Sequence, residues 1–460
     1  MDTLTKHYDS AGNTGLSVIV VGAGPAGLAA GYRLQKAGAD VTVLDQGSEV
    51  GGKIKTRHVN GFHLDLGPTI VPPAHTRMIQ LVHELGLQDK LETTGGTVIG
   101  IARPTGIRYI DTSRFGKEIL FSSLLSWRSK LALFRLFLDV LNARRYLRDH
   151  DLSTAADLDT ESAAEYAYRR LNAQLFDDLL DLQLRIGMGT PGKFLSKVDL
   201  FKMFDLNLRN QGRTRSFPLG LEQYAQALAR HLTVHLRTTV NEIVESPSAV
   251  TVTYTNESGE AKTVHADACI VTTDAPSTAK LLPQLSLENR GFLNGIKYTV
   301  MTNLHAALKT RPDIPAFYVL VPISVHPNLL GIVFEHHRAP KSVPPGRGFI
   351  SVYPAPEMSR ELYDLDDAEA AQRVLQAVET IMPGVEQNID FSFINRWPRV
   401  VPSSRPGVYK QLRDFKASLP NWKRIHLAGD YFTLSGMNFA ALRGERAADH
   451  ALRLREPSRS

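Results

Sequence analysis

A glycine-rich turn near the start of the sequence lies between a predicted strand and a predicted helix. Residues 17–21 form a short β-branched run, and residues 25–37 have the pattern of a helix with proline in its first turn. Residues 41–44 follow as a second strand, so the three elements form a βαβ unit. The turn, GAGPAG at residues 22–27, allows backbone N–H groups and a helix N-terminus to approach a pyrophosphate. The sequence therefore predicts a dinucleotide-binding domain.

An acidic residue and further glycine motifs indicate which nucleotide binds there. Asp45 closes the second strand about 20 residues after the turn, where its carboxylate can accept hydrogen bonds from ribose hydroxyls and would repel the 2′-phosphate of NADP. The motifs GGK at residues 51–53 and LGPT at residues 66–69 suit a longer ligand and favour a flavin. Near the C-terminus, the motif LAGD ends at Asp430, and GMN at residues 436–438 begins a helix whose N-terminus would face the flavin N1/C2 edge.

Composition excludes several other kinds of chemistry. The single cysteine, Cys269, can form neither an internal disulfide nor a thiolate metal cage, and the histidines lack metal-ligand spacing, so we expect no metal site. The 53 basic and 47 acidic residues give a net charge of +6, and the excess lies on the Leu- and Phe-rich residues 114–148. Because it is confined to one stretch, we expect no nucleic-acid partner. Neither a signal peptide nor a membrane-spanning run is evident, which predicts a cytoplasmic protein.

The same basic stretch contains a regular apolar stripe. Its members recur at alternating spacings of four and three, which is typical of one helix face: Leu120, Leu124, Trp127, Leu131, Phe134, Leu138 and Leu141. Arg128, Arg135, Asp139 and Asn142 fall outside the stripe. Two interpretations remain open at this point. The helix packs its stripe against the protein, or the stripe rests on an anionic membrane surface and admits a lipophilic substrate.

Two long segments resemble the FAD-binding signatures of the flavin amine oxidase superfamily. They are VIVVGAGPAGLAAGYRLQKAGADVTVLDQGSEVGGK at residues 18–53 and IHLAGDYFTLSGMNFAALRGERAA at residues 425–448. Between them, FPLGL at residues 217–221, ADACIV at residues 266–271 and the pair Arg396-Trp397, followed by Pro402 and Pro406-Gly407, are similar to further family segments. This superfamily groups monoamine oxidases, protoporphyrinogen oxidases and carotenoid desaturases.

The resemblance implies an α/β fold with a discontinuous FAD-binding domain. That domain is of the glutathione-reductase type, with a Rossmann-like βαβ unit, and an inserted mixed sheet and helical region form the substrate domain. We expect residues 15–75, 215–290 and 405–455 in the FAD-binding domain. Residues 76–214 and 291–404 then belong to the substrate domain, with residues 115–210 mostly helical.

The motifs and the resemblance together name the candidate site residues. The predicted FAD-binding residues are Gly22, Gly24, Pro25, Ala26, Gly27, Asp45, Gln46, Gly51, Gly52, Lys53, Gly67, Pro68, Thr69, Val240, Gly429, Asp430, Gly436, Met437 and Asn438. The predicted substrate-pocket residues are His63, Thr69, Trp397, Tyr409, Tyr431 and Phe439. No catalytic acid or base is assigned. The family's covalent attachment site is a cysteine near the C-terminal signature, and Cys269 is far from it, so we expect noncovalent FAD.

Several departures from the family pattern bear on the substrate. Lys53 replaces the usual arginine, which keeps one charge but loses the bidentate fork. Pro398 follows Trp397 where amine oxidases have the second aromatic of the amine-binding cage, and Phe439 and Arg443 replace small residues. Residues 299–308 lack the lysine that many amine oxidases place near flavin N5; Lys297 only precedes this strand. Residues 159–189 instead resemble the helical domain of protoporphyrinogen oxidases.

We therefore expect an FAD-dependent oxidoreductase similar to protoporphyrinogen oxidases and desaturases. It would remove a hydride from a C–H bond of a largely apolar or cyclic small molecule, dehydrogenating C–N or C–C, with oxygen or a quinone as electron acceptor. The alternatives are a flavin amine oxidase acting on a small amine and a flavin-dependent double-bond isomerase. A non-enzymatic, prenyl-binding escort protein is a further alternative, against which the intact glycine turn and Asp45 argue.

Overall fold

The structure, a computed structural model, describes residues 15–111, 125–210 and 212–455. In chain order its strands are β1 (Ser17–Val21), β2 (Asp40–Leu44), β3 (Thr56–Val59), β4 (Phe62–Asp65), β5 (Glu92–Thr93), β6 (Val98–Arg103), β7 (Gly106–Asp111), β8 (Arg215–Ser216), β9 (Thr233–His235), β10 (Thr239–Glu245), β11 (Val250–Thr255), β12 (Ala261–Ala266), β13 (Ala268–Val271), β14 (Met301–Leu308), β15 (Tyr318–Leu320), β16 (Leu329–Phe334), β17 (Gly348–Pro354), β18 (Ile389–Trp397) and β19 (Ile425–Leu427).

The helices lie on both sides of these strands and in one helical region between β7 and β8. In chain order they are α1 (Pro25–Lys36), α2 (Thr76–Glu84), α3 (Trp127–Ala143), α4 (Ala163–Arg170), α5 (Ala173–Leu175), α6 (Asp181–Met188), α7 (Lys197–Arg209), α8 (Glu222–Ala229), α9 (Ala275–Leu281), α10 (Leu287–Gly295), α11 (Glu335–Arg338), α12 (Pro356–Tyr363), α13 (Asp367–Glu379), α14 (Val408–Ser418) and α15 (Met437–Leu452). Among the described residues, no helix is both long and apolar enough to cross a bilayer.

A five-stranded parallel sheet contains the predicted βαβ unit. Its order is β19–β13–β1–β2–β9, and every pairing is parallel. The strands come from three separate parts of the chain, so the domain is discontinuous, as the resemblance implies. Helices α1 and α15 pack so closely that a Cβ on Gly444 would lie only 2.0 Å from the carbonyl oxygen of Ala26. The N-terminal and C-terminal motifs are thereby held side by side.

A seven-stranded mixed sheet, ordered β18–β14–β17–β16–β15–β6–β7, forms the core of the second unit. All its pairings are antiparallel except that of β15 with β6. Helices α12 and α13 cover one face, through residues such as Leu362 and Val374. The β3–β4 hairpin packs on the other face, where the Phe62 and Phe349 ring centroids are 5.4 Å apart. This hairpin leads directly into the loop at residues 66–69.

Where the structure describes it, the helical region between β7 and β8 consists of α3 to α7 and short 3-10 and π turns. The predicted capping box is present, since Ser162 and Glu165 exchange hydrogen bonds at the start of α4. A separate three-stranded antiparallel sheet, β10–β11–β12, contains the hairpin predicted at residues 256–259. The fold class expected from the sequence is therefore confirmed.

The apolar stripe of the basic stretch does not pack against the protein. Leu120 and Leu124 lie outside the described residues. The remaining five members lie on α3 and are exposed: Trp127, Leu131, Phe134, Leu138 and Leu141. The opposite face of α3 is buried instead, through Ser129, Ala132, Leu136, Val140 and Ala143. The interpretation of the stripe as a core-packing face is therefore wrong, because smaller side chains on the other side of the helix fill that role.

Candidate cofactor and substrate site

In the glycine turn between β1 and α1, the backbone requires glycine at Gly22 and Gly27 but not at Gly24. Gly22 has a φ of +108°, and a Cβ on Gly27 would lie 1.8 Å from the carbonyl oxygen of Gly22. Neither position accepts a side chain. A Cβ on Gly24 would meet no described atom within 4 Å, and Gly24 is the N-cap of α1 without a side-chain capping bond. The N-terminus of α1 therefore faces open space suited to an anionic group.

Asp45 stabilises this turn as well as the segment that follows β9. Its two carboxylate oxygens accept the backbone N–H groups of Ala23 and Gly47, each at 2.6 Å. Its backbone carbonyl accepts the N–H of Thr238 at 2.9 Å, which brings the start of β10, with Val240, close to the turn. A carboxylate has about four lone-pair sites, so Asp45 keeps capacity for ribose hydroxyls. Asp45, its neighbour Gln46 and Val240 are thus assembled at one end of the site.

The motif GGK packs against the first turn and also reaches the C-terminal motif. A Cβ on Gly52 would lie 3.2 Å from the Cα of Gly24. The Lys53 ammonium donates to the carbonyl oxygen of Val400 at 2.6 Å and to the carboxylate of Asp430 at 3.1 Å. Two predicted cofactor residues 377 positions apart therefore form an ion pair. The expected direction of Lys53 toward a phosphate stays a prediction, because its partner in the structure is a carboxylate.

Asp430 is held from a second side by Tyr298. The tyrosine hydroxyl donates to Asp430 Oδ1 at 2.7 Å and accepts the backbone N–H of Ala275 at 3.0 Å. Burial, together with the Asp430 carboxylate, raises the pKa of Tyr298, so Tyr298 stays a neutral donor. Asp430 is therefore fixed by a cation and a phenol just after β19.

The N-terminus of α15 carries a buried amide with an unused donor. Asn438 Oδ1 accepts the backbone N–H groups of Arg77 and Met78 at 2.9 and 3.1 Å, which ties α15 to the first turn of α2. Its Nδ2 is buried and has no hydrogen-bond partner among the described residues. A buried unsatisfied donor is costly, so this group fits a site where a ligand supplies the acceptor. Gly436, the N-cap of α15, adds no side-chain cap of its own.

The loop at residues 66–69 lies between the glycine turns and the seven-stranded sheet. A Cβ on Gly67 would lie 2.0 Å from the carbonyl oxygen of Lys53, so glycine is required there. The Leu66 carbonyl oxygen accepts Trp397 Nε1 at 2.9 Å and Asn395 Nδ2 at 3.1 Å. The Thr69 carbonyl oxygen accepts Arg338 Nη1 at 2.7 Å. Side chains of β18 and α11 therefore hold the loop that contains Gly67, Pro68 and Thr69.

Arg338 belongs to a buried polar chain that the sequence did not reveal. It forms an ion pair with Glu335, whose other carboxylate oxygen accepts Ser351 Oγ at 2.9 Å. Ser351 in turn lies 3.0 Å from Nδ1 of His305. Burial lowers the pKa of His305 to about 3, so the ring is neutral and its Nδ1–H donates to Ser351. The chain links the centre of the seven-stranded sheet to the Thr69 carbonyl.

A separate group of side chains surrounds Phe439. Its ring packs edge-on against His75, with centroids 5.8 Å apart, and lies 5.9 Å from the Lys202 ammonium. Lys202 is fully buried and donates to the carbonyl oxygen of Leu147 at 2.6 Å and to the carboxylate of Asp149. Burial lowers the pKa of His75 to about 4 and lowers that of Lys202. The periodicity of α7 gave no sign that Lys202 would turn inward.

The sequence profile of the flavin-containing amine oxidoreductases matches residues 25–452, which is most of the chain. The chain belongs to this family. It is therefore an enzyme, an FAD-dependent oxidoreductase, as the motifs predicted. The open space before Gly24, the unused donor of Asn438 and the two uncapped helix N-termini fit FAD.

Several named oxidases are similar to this chain over two thirds of its length or more. Coproporphyrinogen III oxidase of Staphylococcus aureus is 21% identical over 490 residues, which cover 95% of this chain and 99% of that protein. The L-amino-acid oxidase BjussuLAAO-I of Bothrops jararacussu is 25% identical over 348 residues, covering 69% and 68%. The structure of cyclohexylamine oxidase of Brevibacterium oxydans superposes with a TM-score of 0.75 at 17% identity, covering 96% and 99%, and shows that the fold is shared.

Among the substrate-pocket candidates of this flavin-dependent enzyme, Thr69 and Trp397 are brought together by the 66–69 loop. Phe439 lies in the group around His75 and Lys202, and the other three candidates, His63, Tyr409 and Tyr431, lie elsewhere. His63 lies on the β3–β4 hairpin, where its Nδ1 is 2.6 Å from Nδ1 of His58. Tyr431 is buried, with its ring 4.8 Å from that of Phe432 and packed against Gly429. The contact of any of these side chains with substrate stays a prediction.

Tyr409 is also buried, and its hydroxyl donates to Asp199 inside the helical region of this flavoenzyme. Its backbone N–H donates to Asp159 at 2.7 Å, and Asp159 also accepts Ser196 Oγ at 2.6 Å. The tyrosine therefore joins the start of α14 to the start of α7. These bonds give Tyr409 a packing role, and its predicted place in the substrate pocket is not supported by them.

The Asp199 carboxyl should make the stability of this flavoenzyme pH-dependent. Burial raises the pKa of Asp199 from 3.8 to about 8. Between about pH 4 and pH 8 the native state then binds one more proton than the unfolded chain, so the free energy of unfolding falls as pH rises. We expect Asp199→Asn to remove this slope. The free energy of unfolding of the variant, relative to that of the wild type, should therefore rise by more than about 1 kcal/mol from pH 5 to pH 8. Urea unfolding at these two pH values measures the change, and parallel pH profiles would contradict it.

Proposed function

We propose that this flavoenzyme dehydrogenates a cyclic, largely apolar substrate of the porphyrinogen type. The observation that carries the proposal is the buried Lys202 ammonium 5.9 Å from the ring of Phe439. Lys202, Arg144 and Arg209 form ion pairs with two carboxylates, Asp149 and Asp205, which leaves this cluster with one excess positive charge. An excess cation beside an aromatic wall disfavours a protonated amine and favours a neutral or carboxylate-bearing ring.

The surroundings of Trp397 support the same choice. Its indole N–H is bonded to the Leu66 carbonyl oxygen, and Pro398 follows it where an amine-binding cage has a second aromatic ring. The coproporphyrinogen III oxidases of Staphylococcus aureus and Bacillus subtilis each match 95% of this chain. The alternative is a flavin amine oxidase acting on a small amine, for which the similarity to L-amino-acid oxidases argues.

The protein's own contribution to the reaction is binding and orientation. When bound, FAD supplies the acceptor for a hydride from the substrate C–H bond. The turn at Gly24 and the N-terminus of α1 would hold the pyrophosphate, and Asp45 would hold the ribose. The loop at residues 66–69, fixed by Trp397 and Arg338, sets the wall of the site. No acid or base is needed to activate a nucleophile, so orientation and exclusion of water account for the protein's share of catalysis. We propose that the FAD is held noncovalently, since Cys269 is buried within β13.

Anaerobic reduction of the purified holoenzyme tests the substrate class. Coproporphyrinogen and protoporphyrinogen should bleach the visible flavin absorbance on a time scale of the order of seconds. Putrescine, cyclohexylamine and L-amino acids should leave it unchanged. Rapid bleaching by an amine alone would replace the proposal with the amine oxidase alternative. A double-bond isomerase would instead convert a polyene with no lasting bleaching and no acceptor consumed.

The electron acceptor is the second part of the proposal. Strand β14 contains no lysine, and Lys297, which precedes it, offers its backbone carbonyl to the N–H of Ser403. Lacking the lysine that many amine oxidases place near flavin N5, the reduced enzyme should react slowly with oxygen and at least about tenfold faster with a quinone. Stopped-flow reoxidation in air-saturated buffer and with a soluble quinone measures both rates. Equal rates would contradict this expectation.

The location of the enzyme in the cell follows from a separate surface feature. We propose a cytoplasmic enzyme that works at a membrane surface, where a lipophilic substrate and a quinone are both concentrated. The exposed apolar stripe of α3 supports this location, since it is a feature that the catalytic proposal leaves unexplained.

A further inference from the structure

Helix α3 presents a continuous apolar face to solvent, which we call the α3 apolar face. It consists of Trp127, Leu131, Phe134, Leu138 and Leu141. Trp127 is 70% exposed and Phe134 is 55% exposed, and the three leucines are between 41% and 44% exposed. Successive members are three or four residues apart, so they form one stripe about 20 Å long. Scattered apolar residues on a surface need no explanation, but a stripe of five on one helix marks an interaction site.

The charges beside this face are basic. Arg128 and Arg135 are exposed on one flank of α3, and Arg145 follows its C-terminal end. None of the three forms an ion pair with another described residue. The helix's acidic residue, Asp139, is turned toward the protein, where it accepts Tyr166 Oη at 2.7 Å and Arg170 Nε at 3.0 Å. The surface around the α3 apolar face therefore carries positive charge that no carboxylate of the described residues neutralises in an ion pair.

We propose that the α3 apolar face docks on an anionic lipid bilayer, with the helix lying parallel to the membrane. The apolar side chains would enter the boundary between headgroups and acyl chains, and the three arginines would contact lipid phosphates. The arginine beside the tryptophan already has the geometry of an interfacial anchor, since the Arg128 guanidinium lies 5.6 Å from the Trp127 ring.

Charge decides between a bilayer and a second copy of the chain. A symmetric dimer through the α3 apolar face would place the same patch, with the same basic flank, on both sides of the interface. Such like charges repel across an interface. An anionic headgroup layer has the complementary charge over the whole length of the helix.

The position of α3 connects the docking surface to the substrate site. The buried face of α3 packs on α7, and Arg144 at its end is paired with Asp205 of α7 at 2.9 Å. Helix α7 also carries Lys202, which lies beside Phe439. Helices α3 and α7 thus lie between the proposed docking surface and the side chains around Phe439. The use of this route by a lipophilic substrate rests on the proposed function, whereas docking itself does not.

Vesicle sedimentation of the holoenzyme tests the docking surface. Wild-type protein should sediment with phosphatidylcholine vesicles containing phosphatidylglycerol at low salt, be released as ionic strength rises, and bind pure phosphatidylcholine vesicles weakly. The triple variant Arg128→Glu, Arg135→Glu, Arg145→Glu should bind anionic vesicles roughly 100-fold more weakly with an unchanged flavin spectrum. The matched control reverses three exposed basic residues away from α3, Arg103, Arg230 and Lys280, and should bind like wild type.

Trp127 provides a readout that bulk charge does not affect. Its fluorescence should shift to the blue and be quenched by brominated acyl chains on docking, and Trp127→Phe should lose this signal although Trp397 and Trp422 remain. The double variant Leu131→Ser, Phe134→Ser should lose binding without any change of charge.

Wild-type protein that stays in the supernatant with anionic vesicles would overturn the proposal, as would equal losses for the α3 and control triple variants. A dimer abolished by Leu131→Ser, Phe134→Ser, with no vesicle binding, would assign the face to a second copy instead. Failure of the porphyrinogen experiment would leave all these outcomes unchanged.

Discussion

A Gly24→Val variant should fold normally and be purified as a colourless protein without FAD. A Cβ at this position meets no described atom within 4 Å, and the backbone has an ordinary φ of −76°. The valine side chain therefore causes no strain in the protein and occupies the space where the pyrophosphate would approach the N-terminus of α1. We expect a loss of unfolding free energy of no more than about 1–2 kcal/mol, the cost of a poor N-cap, and a loss of FAD affinity of at least about 1000-fold.

Absorbance of the purified variant and titration of its apoprotein with FAD measure the effect. Gly27→Val is the matched comparison, because its Cβ would lie 1.8 Å from the carbonyl oxygen of Gly22 and the chain should fail to fold. The contrast separates a glycine kept for the ligand from a glycine kept for the backbone. Gly24→Val protein with a full flavin spectrum would show that the pyrophosphate lies elsewhere.

Local elements of the cofactor domain could be predicted from the sequence because short-range rules determine them. Strand β1 was predicted at its observed bounds, and α1 ends one residue earlier than expected, before Gly38 takes a φ of +82°. Asp45 was assigned to the ribose, but its bonds to the turn itself, through Ala23 and Gly47, were not foreseen. A motif indicates which ligand a residue suits, and it does not show which backbone groups the same side chain also stabilises.

The orientation of α3 could not be predicted, because periodicity identifies faces without saying which face is buried. The large side chains at 127–141 were compatible both with a face packed on the protein and with a face resting on a membrane. The small residues Ser129 and Ala132 on the other side are buried instead, and Ser129 Oγ donates to Gln174 Oε1 of α5 at 2.8 Å. Burial of a helix face depends on the partner surface, which the sequence of the helix does not contain.

The contacts that hold the 66–69 loop were missed for a related reason. The loop lies more than 250 positions before Arg338 and more than 300 before Trp397 in the chain, and only the pairing of the seven-stranded sheet brings them together. The segment Glu335–Arg338 gave no signal of its own, because an acid and a base three residues apart are common on exposed helices. In the structure the pair is buried, so the loss of either partner would leave an uncompensated charge away from water.

An Arg338→Met variant should be among the most destabilised single variants of this protein. Glu335 is 3% exposed, and its carboxylate would lose its cation in a region that water does not reach. Removal of one partner from a buried ion pair typically costs about 3–5 kcal/mol, and the Thr69 carbonyl would also lose its donor. Urea unfolding of the purified variant measures the loss, and the visible circular dichroism of the bound flavin reports whether the loop has moved.

The double variant Glu335→Gln, Arg338→Met separates these two effects. The glutamine amide carries no charge and can still accept the Ser351 hydroxyl, so the double variant should recover at least about half of the lost unfolding free energy. It cannot restore the donor to Thr69, so the altered flavin dichroism should persist. Equal stability of the single and double variants would mean that the unpaired carboxylate is not the source of the loss. Wild-type dichroism in both would mean that the loop keeps its place through Trp397 and Asn395 alone.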